Sequence, residues 1–255
     1  MLRRQILPAI IMMAVFTVLL GFVYPLAVTA IAQVGFKSRA NDSLIKHDGK
    51  VIGSSLLGQD FLDKDANPIP RYLQPRPSAA GTGYDAAVSS ASNLGPSNPN
   101  LIGNVPGVSI SDKTNAYATP DDPYCVPVQA TDKGGNPVAD KSGNPVYERS
   151  SDGTYVCNPN TVPERAMAYR VLNGLAKGAQ VPVDAVTSSG SGLDPDISIA
   201  NAELQAARIA KARQLPVSRV LALIDSHIQQ RQLGFLGEKS VNVLDVNLAL
   251  DGIHS

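Results

Sequence analysis

Tryptophan is absent from the 255 residues, cysteine occurs twice and histidine three times. So few soft or nitrogenous ligands leave little material for a metal site. The three His, at 47, 227 and 254, are isolated and offer no partner at ligand or triad spacing. Net charge is missing too, since 22 Lys and Arg balance 22 Asp and Glu. A nucleic-acid binder would show a basic excess or stripe. A disordered polyelectrolyte would pair high net charge with low hydrophobicity, and this chain is 44% hydrophobic. The most informative absence is local: no charged side chain lies between residues 6 and 34, and no acidic one precedes Asp42.

About 20 apolar residues cross a bilayer as a helix. Residues 9–33 are therefore expected to span the membrane, with 1–8 as a short cytoplasmic tail. A core helix of this length would show a polar stripe, and none is visible. A secretory signal is the competing reading, because Ala30-Ile31-Ala32 has the form of a cleavage site. Yet the run well exceeds the roughly 7–15 residues of a signal core. The basic flanks, Arg3 and Arg4 before and Lys37 and Arg39 after, nearly balance, so the positive-inside rule decides little. The short N-terminal end is the easier one to leave in the cytoplasm. Cys125 and Cys157 point the same way. They lie in a loop-like stretch with no CxxC, a pattern that suits one disulfide in an oxidising compartment. Two unrelated free thiols are the alternative. The expected arrangement is a single-pass protein of the plasma membrane, N-terminus inside and bulk outside. Within the span, Gly21 and Pro25 sit one turn apart. A small residue permits close helix approach and Pro permits a kink, which suits a partner contact as well as a lipid-facing bend.

The remainder reads as one extracytoplasmic α+β domain, residues 34–102 and 161–255, interrupted by a Pro/Gly-rich insertion at 103–160. Asp48-Gly49 between Leu44-Ile45 and Val51-Ile52 predicts a hairpin. The insertion holds a repeat, Asp132-Lys133-Gly134-Gly135-Asn136-Pro137-Val138 then Asp140-Lys141-Ser142-Gly143-Asn144-Pro145-Val146. Each unit should reverse the chain, and a disulfide would substitute for a core too small to build. Helical spacing marks Met167, Val171, Leu172 and Leu175, with Pro163 in the first turn. Ser198 is the expected N-cap of a helix over Ile199–Arg213. Val217, Val220, Leu221, Ile224 and Ile228 form another stripe. Val241-Asn242-Val243 alternates like a strand, and Leu248–Leu250 suggests a last helical turn.

Catalytic signatures are scarce. Asp112-Lys113-Thr114 begins like a P-type phosphorylation motif but continues Asn115-Ala116 instead of Gly-Thr. Gly190-Ser191-Gly192 lacks the residues of a phosphate-binding loop and reads as a structural turn. Gln205, Arg208 and Arg213 share a helix and suit an anion or a partner carboxylate, or simply a solvated face.

Ordered strings carry a resemblance. They are Asn41-Asp42-Ser43-Leu44-Ile45, Gly53-Ser54-Ser55-Leu56-Leu57-Gly58-Gln59, Tyr72-Leu73-Gln74-Pro75-Arg76-Pro77-Ser78-Ala79 and Ser92-Asn93-Leu94-Gly95-Pro96. Val181-Pro182-Val183-Asp184 through Gly192-Leu193-Asp194, Gln205-Ala206-Ala207-Arg208, Gly234-Phe235-Leu236-Gly237 and Val241–Asp251 follow. Together they resemble the C subunit of the bacterial Kdp-type potassium-transporting P-type ATPase. Ser90-Ala91 and Lys239-Ser240 depart from that pattern, and the 103–160 insertion is foreign to it.

The resemblance implies a non-catalytic accessory subunit of a high-affinity potassium uptake complex. Its partners would be a channel-like A subunit, an ATP-hydrolysing B subunit and a small F subunit, besides membrane lipid. It also implies a catalytic chaperone that raises the B subunit's affinity for ATP, with ATP as an associated ligand. That strains the topology, because only residues 1–8 would meet cytoplasmic ATP. Any such effect would travel between subunits as a coupling free energy, typically about 1–3 kcal/mol. Arg76, Pro77, Ser78, Asn93, Gly95 and Pro96 are the expected interface residues, with internal turns as the alternative. An anchored binding module and a membrane-anchored hydrolase are the rival classes, and neither accounts for the ordered strings.

Overall fold

The computed structural model describes residues 2–41, 43–95, 97–98, 101, 127–134, 136–142, 145–151, 153, 156–157 and 161–252. The chain forms two compact units, Met1–Leu56 and Leu57–Ser255.

The first unit begins with α1 (Leu2–Val18), a π-helical segment (Leu19–Val23) and α2 (Tyr24–Gly35). The stretch Gln5–Gly35 has mean hydropathy 2.7 and none of it is buried. At 1.5 Å per residue its 31 residues extend roughly 46 Å. That exceeds a hydrocarbon core of about 30 Å, so spanning requires tilt or ends reaching the headgroups. The helix runs without a break through the expected boundary at residue 8. The π segment has a local cause. Pro25 has no N–H to donate, and its ring would press on the carbonyl of Gly21, four residues back. The backbone widens instead, and the Tyr24 N–H reaches the Leu19 carbonyl, five residues back.

Phe36 leaves helical geometry at φ −139°, and the short α3 (Lys37–Ala40) follows. Strands β1 (Leu44–His47) and β2 (Lys50–Ser54) then pair antiparallel, with a register shift between Ile45 and Lys46. Asp48 at φ 49° and Gly49 at φ 76° make the left-handed tight turn that Asp-Gly favours. The expected hairpin is present.

In the second unit, α4 (Val162–Asn173) starts where Thr161 accepts the Glu164 N–H and ends at Gly174, φ 65°. The expected Ser198 cap is formed: its side chain accepts the Asn201 N–H at the head of α5 (Ile199–Arg213). After Pro216 come α6 (Val217–Ser226), strands β4 (Ile228–Gln229) and β5 (Ser240–Asn242), and α7 (Val243–Leu250). With β3 (Asp196–Ile197), these strands form a small antiparallel sheet ordered β3-β5-β4. Two sequence expectations shift. Ile228 belongs to β4 rather than to the stripe of α6. Val243 opens α7 rather than closing a strand, because the Asn242 side chain accepts the Asp245 N–H and starts the helix there. The core gathers Ile197, Ala206, Ile209, Val220, Ile224, Val241 and Val246 around Leu73, which is fully buried. A satellite cluster forms on Tyr169, Ala185 and Val186.

Between residues 127 and 157 the described chain forms short antiparallel bridges: Pro127 with Cys157, Gln129 with Tyr147, Thr131 with Pro137 and Ala139 with Pro145. Their backbone bonds close into triangles. The Ala130 N–H donates to Val146 O, Val146 to Val138 and Val138 back to Ala130, at 2.9–3.0 Å. Val128, Val156 and Glu148 make a second triangle in the same way. The eight-residue repeat is what brings equivalent residues round to one ring. Asp132 Oδ1 accepts the N–H groups of Gly134 and Asn136, and Asp140 that of Ser142, so the repeated Asp closes each turn. Asp63-Lys64-Asp65-Ala66-Asn67-Pro68 is a third copy of this turn, with Asp63 Oδ1 accepting from Asp65 and Asn67. These bonds to the carboxylate hold the Asp63 pKa below its ordinary value.

Candidate functional site

The segment Pro70–Ala80 crosses the second unit as a strap held by side chains. Asn247 accepts the Leu73 N–H at 2.7 Å and donates to the Leu73 carbonyl at 2.9 Å. Gln205 does the same for Gln74, accepting at 2.8 Å and donating at 3.1 Å. Each amide thus stands in for a neighbouring β-strand. Asn201, Gln205 and Arg208 lie at successive helical turns of α5, and all three are buried. The Arg208 guanidinium donates to the carbonyls of Pro70 and Tyr72, to Asn173 Oδ1 and to Gln205 Oε1. Burial brings its pKa down to about 10, so it is still charged at neutral pH. Further along, Asn201 donates to Asp184 and accepts from the Tyr169 hydroxyl. Desolvation raises the Tyr169 pKa, which keeps that hydroxyl a donor.

Arg213 closes the other end of the strap. It donates to Arg71 O, Leu250 O and Asp251 Oδ1, each at 2.8 Å. Gln205, Arg208 and Arg213 therefore bind their own chain, and for Gln205 and Arg208 a solvated helix face is excluded by burial. A depression of about 580 Å³ beside α4 and α5 is lined by Pro70, Val171, Leu172, Asn173, Ala207 and Arg208.

Beyond the strap two loops lock together. Arg76 Nη1 pairs with Asp194 at 2.9 Å, half-buried. Ser78 donates to Gly192 O at 2.6 Å and accepts the N–H groups of Ala80 and Tyr84. The Tyr84 hydroxyl donates to Arg76 O, and burial raises its pKa. Gly192 at φ 68° is pressed so closely on Ser90 and Ala80 that a Cβ there would collide with both. The N–H groups of Gly192 and Leu193 are taken by the hydroxyls of Ser189 and Ser191. This is a structural turn, with those donors already engaged rather than offered to a phosphate. Asn93, at φ 54°, and Gly95 are exposed on the stretch that follows.

A family model described as KdpC, K+-transporting ATPase, c chain, matches residues 6–135 and 157–252. The chain belongs to the KdpC family. Proteins called potassium-transporting ATPase KdpC subunit in Mycobacterium tuberculosis and Mycobacterium bovis are each 43% identical over 250 residues, 98% of this chain and 99% of theirs. The protein of the same name in Caulobacter vibrioides is 43% identical over 245 residues, 96% of this chain and 91% of its own. Membership makes the chain a subunit of a K+-transporting ATPase rather than its catalytic chain. The match passes over 136–156 but includes 103–135 and 157–160, so most of the stretch expected to be foreign to the family lies within its pattern.

Within this KdpC chain, Arg76 comes together with Asp194 and Ser78 with Gly192, Pro77 lies between them in the chain, and Gly21 and Pro25 belong to the other unit. Pro96, Cys125, Asp112, Thr114 and His254 lie outside the described residues. His227 sits at the end of α6, its Nδ1 2.8 Å from Leu223 O, and His47 lies beside Asp48 on the hairpin. Among the described residues no group of three His, Cys, Asp or Glu gathers as a metal site would require. Asn247, Asn201, Asn173, Gln74 and Tyr84 went unnoticed in the sequence. The available signal was the polar stripe Asn201–Gln205–Arg208 running through an Ala-rich helix.

Proposed function

We propose that this chain is the accessory C subunit of an ATP-driven, high-affinity potassium uptake complex, acting by assembly and allosteric support. The observation that carries the reading is the KdpC match, which runs from the apolar helix to residue 252. The partners in this reading are a channel-like A subunit, an ATP-hydrolysing B subunit and a small F subunit. The apolar helix is retained as a single pass that crosses the bilayer over residues 9–33, with its N-terminal end, residues 1–8, on the cytoplasmic side and the second unit outside the cell. The turn at Asn93–Gly95, next to the locked loops of Arg76 and Ser78, is the docking edge. Exposed residues on a rigid support lose little entropy on binding. Gly21 and Pro25 mark the helix face toward the A subunit.

The Cys125–Cys157 disulfide belongs to the same picture. The backbone pairing of Pro127 with Cys157 supports this reading. Support for ATP affinity is transmitted through the partner subunits, because the second unit lies across the membrane from ATP. Full-length protein in lipid nanodiscs should show no ATP binding tighter than about 1 mM, some −4 kcal/mol, by titration calorimetry. Tighter binding would end the indirect reading. The principal test is purification of the tagged chain from its own membranes under potassium limitation. The expected co-purifying proteins are a P-type ATPase chain and a many-span potassium-channel-like chain. Recovery of the chain alone, with those partners expressed, would overturn the assignment.

A further inference from the structure

The segment between β4 and β5 projects an apolar tip. Every residue from Gln229 to Lys239 is exposed, including Leu233 at 82%, Phe235 at 69% and Leu236 at 48%. Gln232 and Leu236 bridge across it through paired backbone bonds of 2.9 Å. Leu233 and Gly234 turn the chain at φ 52° and 82°. Leucine is a poor choice for that turn on two counts. It resists the left-handed region that Gly or Asn occupies readily, and it gives its side chain to solvent. A costly local choice of this kind marks a contact made outside the chain.

Three features decide what covers it. First, three side chains present roughly 400 Å² of apolar surface at most, about half of the ~800 Å² that each partner of a standard protein interface buries. Second, Gly35 ends the apolar helix and Leu57 opens the second unit only 22 residues later. Even fully extended, that tether reaches about 75 Å. That tether keeps the second unit as a whole at high effective concentration beside the membrane, where small areas suffice. Third, Arg231 and Lys239 flank the tip, with Glu238 paired to Arg231. One net positive charge beside apolar side chains suits an anionic lipid surface.

We infer that Leu233-Gly234-Phe235-Leu236 is a wedge that inserts into the headgroup boundary of the membrane that the N-terminal helix crosses. The inference rests on the reading of Gln5–Gly35 as a retained span.

The absence of Trp makes the test direct, since Phe235→Trp supplies the sole indole of the chain. The full-length variant is reconstituted in vesicles of phosphatidylglycerol and phosphatidylcholine brominated near the headgroup. Val183→Trp, at a site 74% exposed, is the control. The expected result is strong quenching of the residue-235 indole by brominated lipid and weak quenching by aqueous iodide, with the control reversed. Adding Leu233→Asn should relieve the turn without loss of thermal stability, yet reduce the lipid quenching toward that of the control. Iodide quenching equal to the control overturns the wedge, provided the protein stays in the membrane at alkaline pH. Release at alkaline pH removes the retained span and the wedge with it. An indole shielded from both quenchers in the purified complex assigns the tip to a protein partner and also overturns the wedge.

Discussion

A single amide can hold a strap in place, and Gln205 shows how much rests on it. Its truncation leaves the buried N–H and C=O of Gln74 and one Arg208 donor without partners. Each such orphan costs about 1–3 kcal/mol. Gln205→Ala should therefore destabilise the second unit by about 3–5 kcal/mol in denaturant unfolding. Normal stability with lost partner binding would mean that Gln205 faces outward in function. Asp196 illustrates the opposite kind of buried group. Its Oδ2 accepts from Ser240, its buried Oδ1 has no hydrogen-bond partner among the described residues, and desolvation raises its pKa above 3.8. Burial raises Asp60 and Asp245 in the same direction. For an acid raised in the folded state, the native protein holds more protons over the interval from 3.8 upward. The contribution is complete below that value and is lost as pH rises through the folded pKa. Asp196→Asn should thus flatten the fall in stability just above pH 3.8 and leave the fold intact at neutral pH. A steeper fall in the variant would contradict the burial argument.

At the scale of elements, the caps and the one helix defect decide most of the geometry. Thr161, Ser198 and Asn242 each accept an N–H three residues on, and each begins its helix within one residue of where an N-cap rule would put it. The π segment before Pro25 carries one more residue per turn than an α-helix does. It therefore rotates α1 against α2 by roughly 100°. Pro25→Ala removes its cause, so a continuous α-helix is the expected outcome, with the residues of α1 turned to a new face. Single-cysteine labelling along residues 9–18 should show the exposed stripe moved by about one position. An unmoved stripe would mean that packing against a partner, rather than proline, sustains the π turn. The triangles of backbone bonds between residues 127 and 157 follow the same economy. An eight-residue period brings residues 130, 138 and 146 to a common ring, and Asp at each turn accepts the otherwise free N–H groups. Such a small element has little apolar area to bury. Replacing Cys125 and Cys157 by serine should accordingly cost it about 3–4 kcal/mol on the chain-entropy model. Hydrogen exchange of the amides of residues 128–148 reads that loss, and unchanged protection would argue against the bridge.

For the whole molecule, the class and the order of parts were legible in one dimension. An uncharged run of this length has few stable homes other than a bilayer, so the apolar helix needed no tertiary information. Asp-Gly turns, the Ser198 cap and the repeated Asn-Pro turns are local choices, made by backbone sterics and hydrogen bonds a few residues away. The ordered strings were likewise visible in one dimension, and they led to the family. Which polar residues turn inward was decided only in three dimensions. Arg208 reads equally well as a solvated charge, an anion ligand or a buried clamp, because the carbonyls that satisfy it lie more than 130 residues away. The end of β5 at Asn242 was hidden for a related reason. Val241-Asn242-Val243 alternates like a strand, and only the Asn242 side chain, turned onto the Asp245 N–H, converts the next residue to helix. The exposure of Leu233 and Phe235 belongs to the tertiary structure as well. An apolar pair within a family string reads as core until the folded chain leaves it at the tip of a hairpin. Periodicity reports which residues are apolar; only the packing of distant segments decides which of them the protein itself covers.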